Sequence, residues 1–164
     1  MDKKFVIGVV VISALVLGGG MWAALRLPAV NGVAIEETGE AKAEIAIKAQ
    51  EFGEVPLKGG NVMKSYAVKN VGTAPLLVAN MGTSCMCTTV QLKTRDGISP
   101  KFAMHQKSEW KGTIAPGESG EVEMVFDPAF HGPTGLGDIS RMIKFETNDP
   151  NNRNVELTLV GKVI

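Results

Sequence analysis

Every cysteine and every histidine of the chain falls at an expected strand end or in a loop. Cys85 and Cys87 flank Met86, Met104 precedes His105, and His131 lies in Phe130-His131-Gly132-Pro133. Thiolates and thioethers are soft ligands that select Cu(I), and imidazole suits copper and zinc. Two thiols two places apart can face one ion where the backbone turns. The chemistry these six side chains imply is capture of a soft metal ion, copper favoured, for handling or delivery rather than catalysis. Cys85 and Cys87 would supply thiolates, His105 and His131 imidazoles, and Met86 or Met104 a weak thioether.

Other readings of the same residues compete. Cys85 and Cys87 can form a short structural disulfide, Met104 can fill the core, and each histidine can bond to a loop carbonyl. Thiol–disulfide exchange through the Cys-x-Cys pair is a further alternative. Against it, the pair lacks the helix N-terminus that lowers thiol pKa in thioredoxin-like sites. Enzyme signatures are missing. Gly82-Thr83-Ser84-Cys85-Met86 has neither the final glycine nor the strand-to-helix context of a nucleophile elbow. Gly18-Gly19-Gly20 lies inside an apolar run and makes no phosphate loop. The chain therefore reads as a binding protein, not an enzyme. A protein–protein interaction module without a metal is the rival from another class.

The elements that carry these residues follow from composition and patterning. The 164 residues hold 17 bases and 17 acids, which argues against a nucleic-acid partner. Two cysteines exclude a disulfide-dense mini-domain, and six Phe, two Trp and one Tyr leave the core mostly aliphatic. After Lys3 and Lys4 the stretch from Phe5 to Leu25 is uncharged. As a helix it would be about 31 Å long, enough for a bilayer core. Trp22 stands near the end where an aromatic ring favours the interface, and Gly20 with Ala24 is a weak small-residue packing pair. The lysines before the run predict a single-pass membrane anchor with a cytoplasmic N-terminus and an extracytoplasmic C-terminal domain. Signal cleavage near the three glycines, giving a secreted protein, is the alternative. The expected organisation is an anchor at 1–26, a linker at 27–40 and a folded domain at 41–164. Glu36 and Glu37, in the linker, read as solvated spacer. A protein partner in the cell envelope would follow from that location.

From Ala41 onward the apolar period is 2. Ile45 and Ile47, Tyr66 and Val68, Leu76 to Val78, Val90 and Leu92, Val122 to Phe126, Ile143 and Phe145, and Val155 to Leu159 mark about seven strands. Gly59-Gly60-Asn61, Asn70-Val71-Gly72, Pro116-Gly117 and Asn148-Asp149-Pro150 are turn chemistry. The pattern predicts an all-β, Ig-like antiparallel sandwich. Thr94 to Thr113 shows no alternation and is expected to be a long loop.

The order of these features resembles a known family. Phe52-Gly53-Glu54-Val55, Asn70-Val71-Gly72, Pro75-Leu76, Thr83-Ser84-Cys85-Met86-Cys87-Thr88, Pro116-Gly117 and Thr147-Asn148-Asp149-Pro150 follow one another up to Gly161. The string is similar to the bacterial domain-of-unknown-function family 1573. Those are exported Ig-like domains related to the ASPM–SPD2–Hydin and major-sperm-protein sandwiches. The resemblance covers roughly Glu51 to Val163 and implies the sandwich fold, but no activity. The family pattern has glycine between the cysteines, where this chain has Met86.

Overall fold

The computed structural model describes the backbone of residues 2–25 and 32–164. The chain divides into two compact units, Met1–Asn31 and Gly32–Ile164. The first contains helix α1, Lys3–Leu25. Among the described residues no helix is long and apolar enough to cross a membrane. This corrects the expected single-pass anchor and the localisation that rested on it. The interfacial place expected of Trp22, the Gly20–Ala24 pair, Arg26 at the end of the expected anchor and the linker's first residues, 27–31, lie outside what the structure describes.

The second unit is built from ten strands. They are β1 (Ala43–Glu44), β2 (Ala49–Val55), β3 (Val62–Asn70), β4 (Leu76–Thr83), β5 (Thr88–Thr94), β6 (Gly97–Ile98), β7 (Lys111–Ile114), β8 (Ser119–Phe126), β9 (Gly137–Thr147) and β10 (Asn154–Val163). One five-stranded sheet has the order β1-β3-β8-β5-β6, the other β2-β10-β9-β4-β7. Alternation does in three dimensions what it does in sequence. Tyr66, Val68, Val90, Leu92, Val122 and Met124 point inward from one sheet. Val78, Ile143, Phe145, Val155, Leu157 and Leu159 meet them from the other. Each buried aliphatic side chain contributes roughly 1.5–3 kcal/mol relative to an exposed one.

Three expectations change. Ile45 and Ile47 belong to no strand. β1 pairs with β3 in one sheet and β2 with β10 in the other, so the chain crosses between sheets over 45–48. The sandwich is not wholly antiparallel, since β2 runs parallel to β10. The segment 94–113 is not a featureless loop. It folds back on β5 through β6, through a bridge between Val90 and Phe102, and on through β7 to β4. Phe102, fully buried, and Trp110 pack together at 5.4 Å and pin it to the core.

The latter part of the expected linker, 32–40, is also bonded to the sandwich. Asn80 adopts a left-handed backbone, φ 53, at a register shift between β4 and β9. Asparagine tolerates that conformation better than most residues. Its side-chain Oδ1 accepts from the Val33 N–H at 2.9 Å and its Nδ2 donates to the Val33 carbonyl at 2.9 Å. Further on, Arg153 donates to the Ile35 carbonyl at 2.7 Å and Thr38 N–H to the Asn148 carbonyl at 2.9 Å. Glu37, expected to be spacer, pairs with Arg153 at 3.8 Å.

The Asn-Asp-Pro turn is a structural knot. Asn148 Oδ1 accepts from Leu77 N–H at 2.8 Å. The Asp149 carboxylate, almost fully buried, accepts from the Ala43 and Asn151 N–H groups and from Asn152 Nδ2, each at 2.9 Å. Burial alone would raise its pKa, but these donors, led by Asn152, hold it below the ordinary carboxylate value. Tyr66 shows the opposite balance. Burial pushes its phenol up to about 12, and its hydroxyl donates to the Thr158 carbonyl at 2.7 Å.

Candidate functional site: a Cys-x-Cys turn beside a histidine and an arginine

Residues 84–87 connect β4 to β5 at one end of the sandwich. The Thr83 hydroxyl is shared between the carbonyls of Cys85 and Thr88, at 3.0 Å each. Thr88 N–H returns to the Cys85 carbonyl at 3.2 Å, which closes the turn. Two neighbours clamp it. Ser84 N–H donates to the Met142 carbonyl and Met142 N–H to Ser84 Oγ, both at 2.9 Å, which ties it to β9. Asp127 N–H donates to the Cys87 carbonyl at 2.9 Å, which ties it to the end of β8. The turn is therefore held by backbone and hydroxyl hydrogen bonds that do not depend on its sulfurs.

Cys85 and Cys87 are joined as a disulfide, with their Cα atoms 5.3 Å apart. The two sulfurs have different surroundings. Cys85 is half-buried, whereas Cys87 is 3% exposed and packs with Phe126 and Val163. Met86 between them projects outward, 51% exposed.

His131 reaches Cys85 from the β8–β9 connection. Asp127 Oδ1 accepts from Ala129 N–H at 2.9 Å, Gly132 N–H turns back to the Ala129 carbonyl at 2.9 Å, and Thr134 Oγ1 donates to the His131 carbonyl at 2.7 Å. These bonds place His131 Nε2 3.4 Å from Cys85 Sγ. Its ring also meets the exposed Phe130 edge-on at 5.0 Å. Cys85, Cys87 and His131 form one group, their ligand-type atoms all within 4.8 Å of one another.

Arg141 reaches Cys87 from β9. Its Nε–H donates to Cys87 Sγ at 3.0 Å. Its guanidinium lies 5.5 Å from the centre of the Phe126 ring, which stacks on Phe52 at 5.4 Å. Partial burial lowers the Arg141 pKa from its usual value, yet an arginine stays protonated in a protein. A fixed cation beside Cys87 favours a thiolate there and disfavours a second cation.

Of the six expected ligands, the structure gathers Cys85, Cys87 and His131, with Met86 in the same turn. His105 is not among them. It is exposed at φ 61, in a turn closed by Gln106, whose side chain accepts from Ala103 N–H at 3.0 Å. Met104, half-buried, belongs to that turn. The fold-back of 94–113 fastens this segment through Phe102 to β5, and the backbone turn at His105 leaves that residue exposed. Arg141 was not singled out in the sequence, because nothing in an alternating strand marks one charged position as functional. Strand register supplies the signal. Thr83 pairs with Ile143 in the antiparallel β4–β9 ladder, so two places further along each strand Cys85 comes opposite Arg141.

Two facing sheets with a clamped Cys-x-Cys turn at one end define an Ig-like sandwich. The chain belongs to the HYDIN/CFA65/VesB-like Ig-like domain family, whose profile matches residues 41–162. The structure is similar to a protein of unknown function from Porphyromonas gingivalis, with a TM-score of 0.58 and 18% identity over 76% of this chain and 49% of that one. The chain thus spans about half that protein's length. It is also similar to the ASH/PapD-like domain 7 of human CEP192, with a TM-score of 0.49 and 17% identity over 85% and 98% of the two chains. The secreted serine protease VesC of Vibrio cholerae matches with a TM-score of 0.45 and 13% identity, over 77% of this chain and 23% of that one. Likeness at such identities speaks for the fold alone. No curated protein sequence matches the chain.

Proposed function

We propose that this chain is an Ig-like protein-interaction domain, not an enzyme, that presents Cys85 and Cys87 to its partner as a reversible thiol–disulfide couple. The observation that carries the reading is the unequal setting of the two sulfurs. Cys85 is half-buried with an imidazole at 3.4 Å, while Cys87 is buried with a guanidinium N–H at 3.0 Å. Arg141 answers the objection that no helix N-terminus activates the pair, since a neighbouring arginine lowers a thiol's pKa as well.

The test is equilibration of the folded domain with graded mixtures of reduced and oxidised glutathione, followed by quenching and thiol alkylation. The expected result is a two-electron transition in Cys85 and Cys87 within the range that glutathione buffers. A pair that stays wholly oxidised or wholly reduced across the series refutes the reading.

Soft-metal binding is the second reading, favoured by the 4.8 Å grouping of Cys85, Cys87 and His131. These donors suit Cu(I) once the disulfide is reduced, with Met86 as a neighbouring thioether. The Arg141 charge at Cys87 weighs against it. Uptake of about one Cu(I) by the reduced domain, abolished by Cys85→Ser with Cys87→Ser, would favour it. Exchange without copper uptake would leave the thiol couple alone.

A further inference from the structure

The asymmetry of the site assigns a role to each sulfur. Resting on the thiol–disulfide reading, we infer that Cys85 is the sulfur that exchanges with an incoming thiol, that Cys87 is the one that departs, and that Arg141 is the positioning residue that receives the departing charge.

Access comes first. Cys87 Sγ is hemmed in by the Thr88 hydroxyl at 3.5 Å, the Arg141 guanidinium at 3.0 Å and the side chains of Phe126 and Val163. Cys85 is only half-buried, and its Sγ meets the exposed His131 at Nε2, 3.4 Å away, and the Cys87 N–H at 3.3 Å. Exchange requires a thiolate to approach one sulfur while the other leaves, and only Cys85 offers that approach.

The electrons and protons then balance. An incoming thiol gives its proton to His131 Nε2, in the neutral tautomer that leaves this nitrogen free. The thiolate's electron pair forms a bond to Cys85 Sγ. The Cys85–Cys87 bond breaks and its pair remains on Cys87 Sγ, as a thiolate facing the Arg141 N–H. The products are a mixed disulfide at Cys85 and a thiolate at Cys87. Return of that pair to Cys85 expels the incoming group and restores the disulfide. Alternatively, a second thiolate attacks the incoming group's sulfur, which releases an external disulfide and leaves Cys85 and Cys87 reduced by two electrons.

Arg141 is placed for this work by contacts other than the sulfur. Its Nη1 donates to the Ser140 carbonyl at 2.9 Å, and its plane sits by Phe126. The side chain is thus fixed before the thiolate forms, so little reorganisation accompanies the charge. A lysine in its place would keep the charge but lose the fixed fork.

The experiment treats the oxidised domain with reduced glutathione, stops the reaction with acid at short times and locates the glutathione adduct by peptide mass spectrometry. The expected adduct is on Cys85, in large excess over Cys87. Arg141→Met should slow its formation about tenfold, and Arg141→Lys should recover part of the loss. An Arg141 with only a structural role would lower the thermal midpoint and leave adduct rate and position unchanged. An adduct chiefly on Cys87 overturns the assignment while leaving thiol–disulfide exchange intact. No adduct on either sulfur in the parent protein removes both. Because Arg141→Met also loses its stack on Phe126, a Phe126→Leu variant with normal kinetics would separate packing from charge. If Phe126→Leu slowed exchange as much as Arg141→Met, the positioning role would be refuted.

Discussion

Reduction of Cys85–Cys87 should leave the domain folded, a requirement for a couple that cycles. The pair has a sequence separation of 2. A closed loop of three residues restricts the unfolded chain by about 1.6 kcal/mol in the chain-entropy model. Neither cysteine belongs to the main core, where Tyr66, Leu92, Phe102, Met124, Ile143 and Leu157 meet. The turn also keeps its bonds to Thr83, Met142 and Asp127 without the sulfur bridge. A domain of this size has a stability on the order of 5–15 kcal/mol. Losing about 1.6 kcal/mol should lower the thermal midpoint by roughly 5–10 °C. The assay is thermal unfolding by circular dichroism on the oxidised domain and on domain reduced by tris(2-carboxyethyl)phosphine, with far-ultraviolet spectra compared at 25 °C. Reduced protein that loses its β spectrum, or a midpoint more than about 20 °C lower, would refute the reasoning, because the bridge would then carry the fold.

Other outcomes follow from the same contacts. Asp149→Asn puts an amide N–H₂ against at least one of three donors and should cost about 2–4 kcal/mol at pH 7, read by urea unfolding. Because the folded Asp149 pKa is depressed, its stabilisation is fully present above the unfolded value of about 3.9 and is lost as pH falls through the folded value. The parent should therefore weaken below about pH 4 more steeply than Asp149→Asn, and equal slopes would exclude this role. Asn80→Ala removes both bonds to Val33 and should speed hydrogen exchange in residues 32–36 while leaving the core amides protected. A Cβ at Gly161 would fall on the Phe52 ring and 2.9 Å from the Gly53 carbonyl. Gly161→Ala should cost about 1–3 kcal/mol in denaturant unfolding and weaken the Phe52–Phe126 stack that underlies Arg141.

Much of the sandwich is legible in the linear chain. Period-2 alternation depends only on which side chains prefer to leave water. It therefore marks β3, β4, β5, β8, β9 and β10 without knowledge of their partners. The Asn-Asp-Pro turn is equally visible, because short polar side chains bond to their own neighbouring backbone. Local chemistry likewise exposes the Cys85-Met86-Cys87 turn and His131 as residues of interest. Local pattern fails for the parallel β2–β10 pair and the crossing at 45–48. It fails too for the fold-back of 94–113 and for the strap at Val33, since each is stabilised by a partner far away in sequence. Hydropathy also suggested a membrane anchor at Phe5 to Leu25, but among the described residues no helix is long and apolar enough to cross a membrane. The site divides along the same line. Residue types alone nominate Cys85, Cys87, His105 and His131, but only the packing of the β8–β9 connection brings His131 to the sulfur. The bridge of Phe102 to Val90 fastens the turn of His105 beside β5, where the histidine stays exposed. Arg141, on which the proposed chemistry turns, owes its place to the β4–β9 register. A register is a relation between two strands, and neither strand's sequence contains it alone.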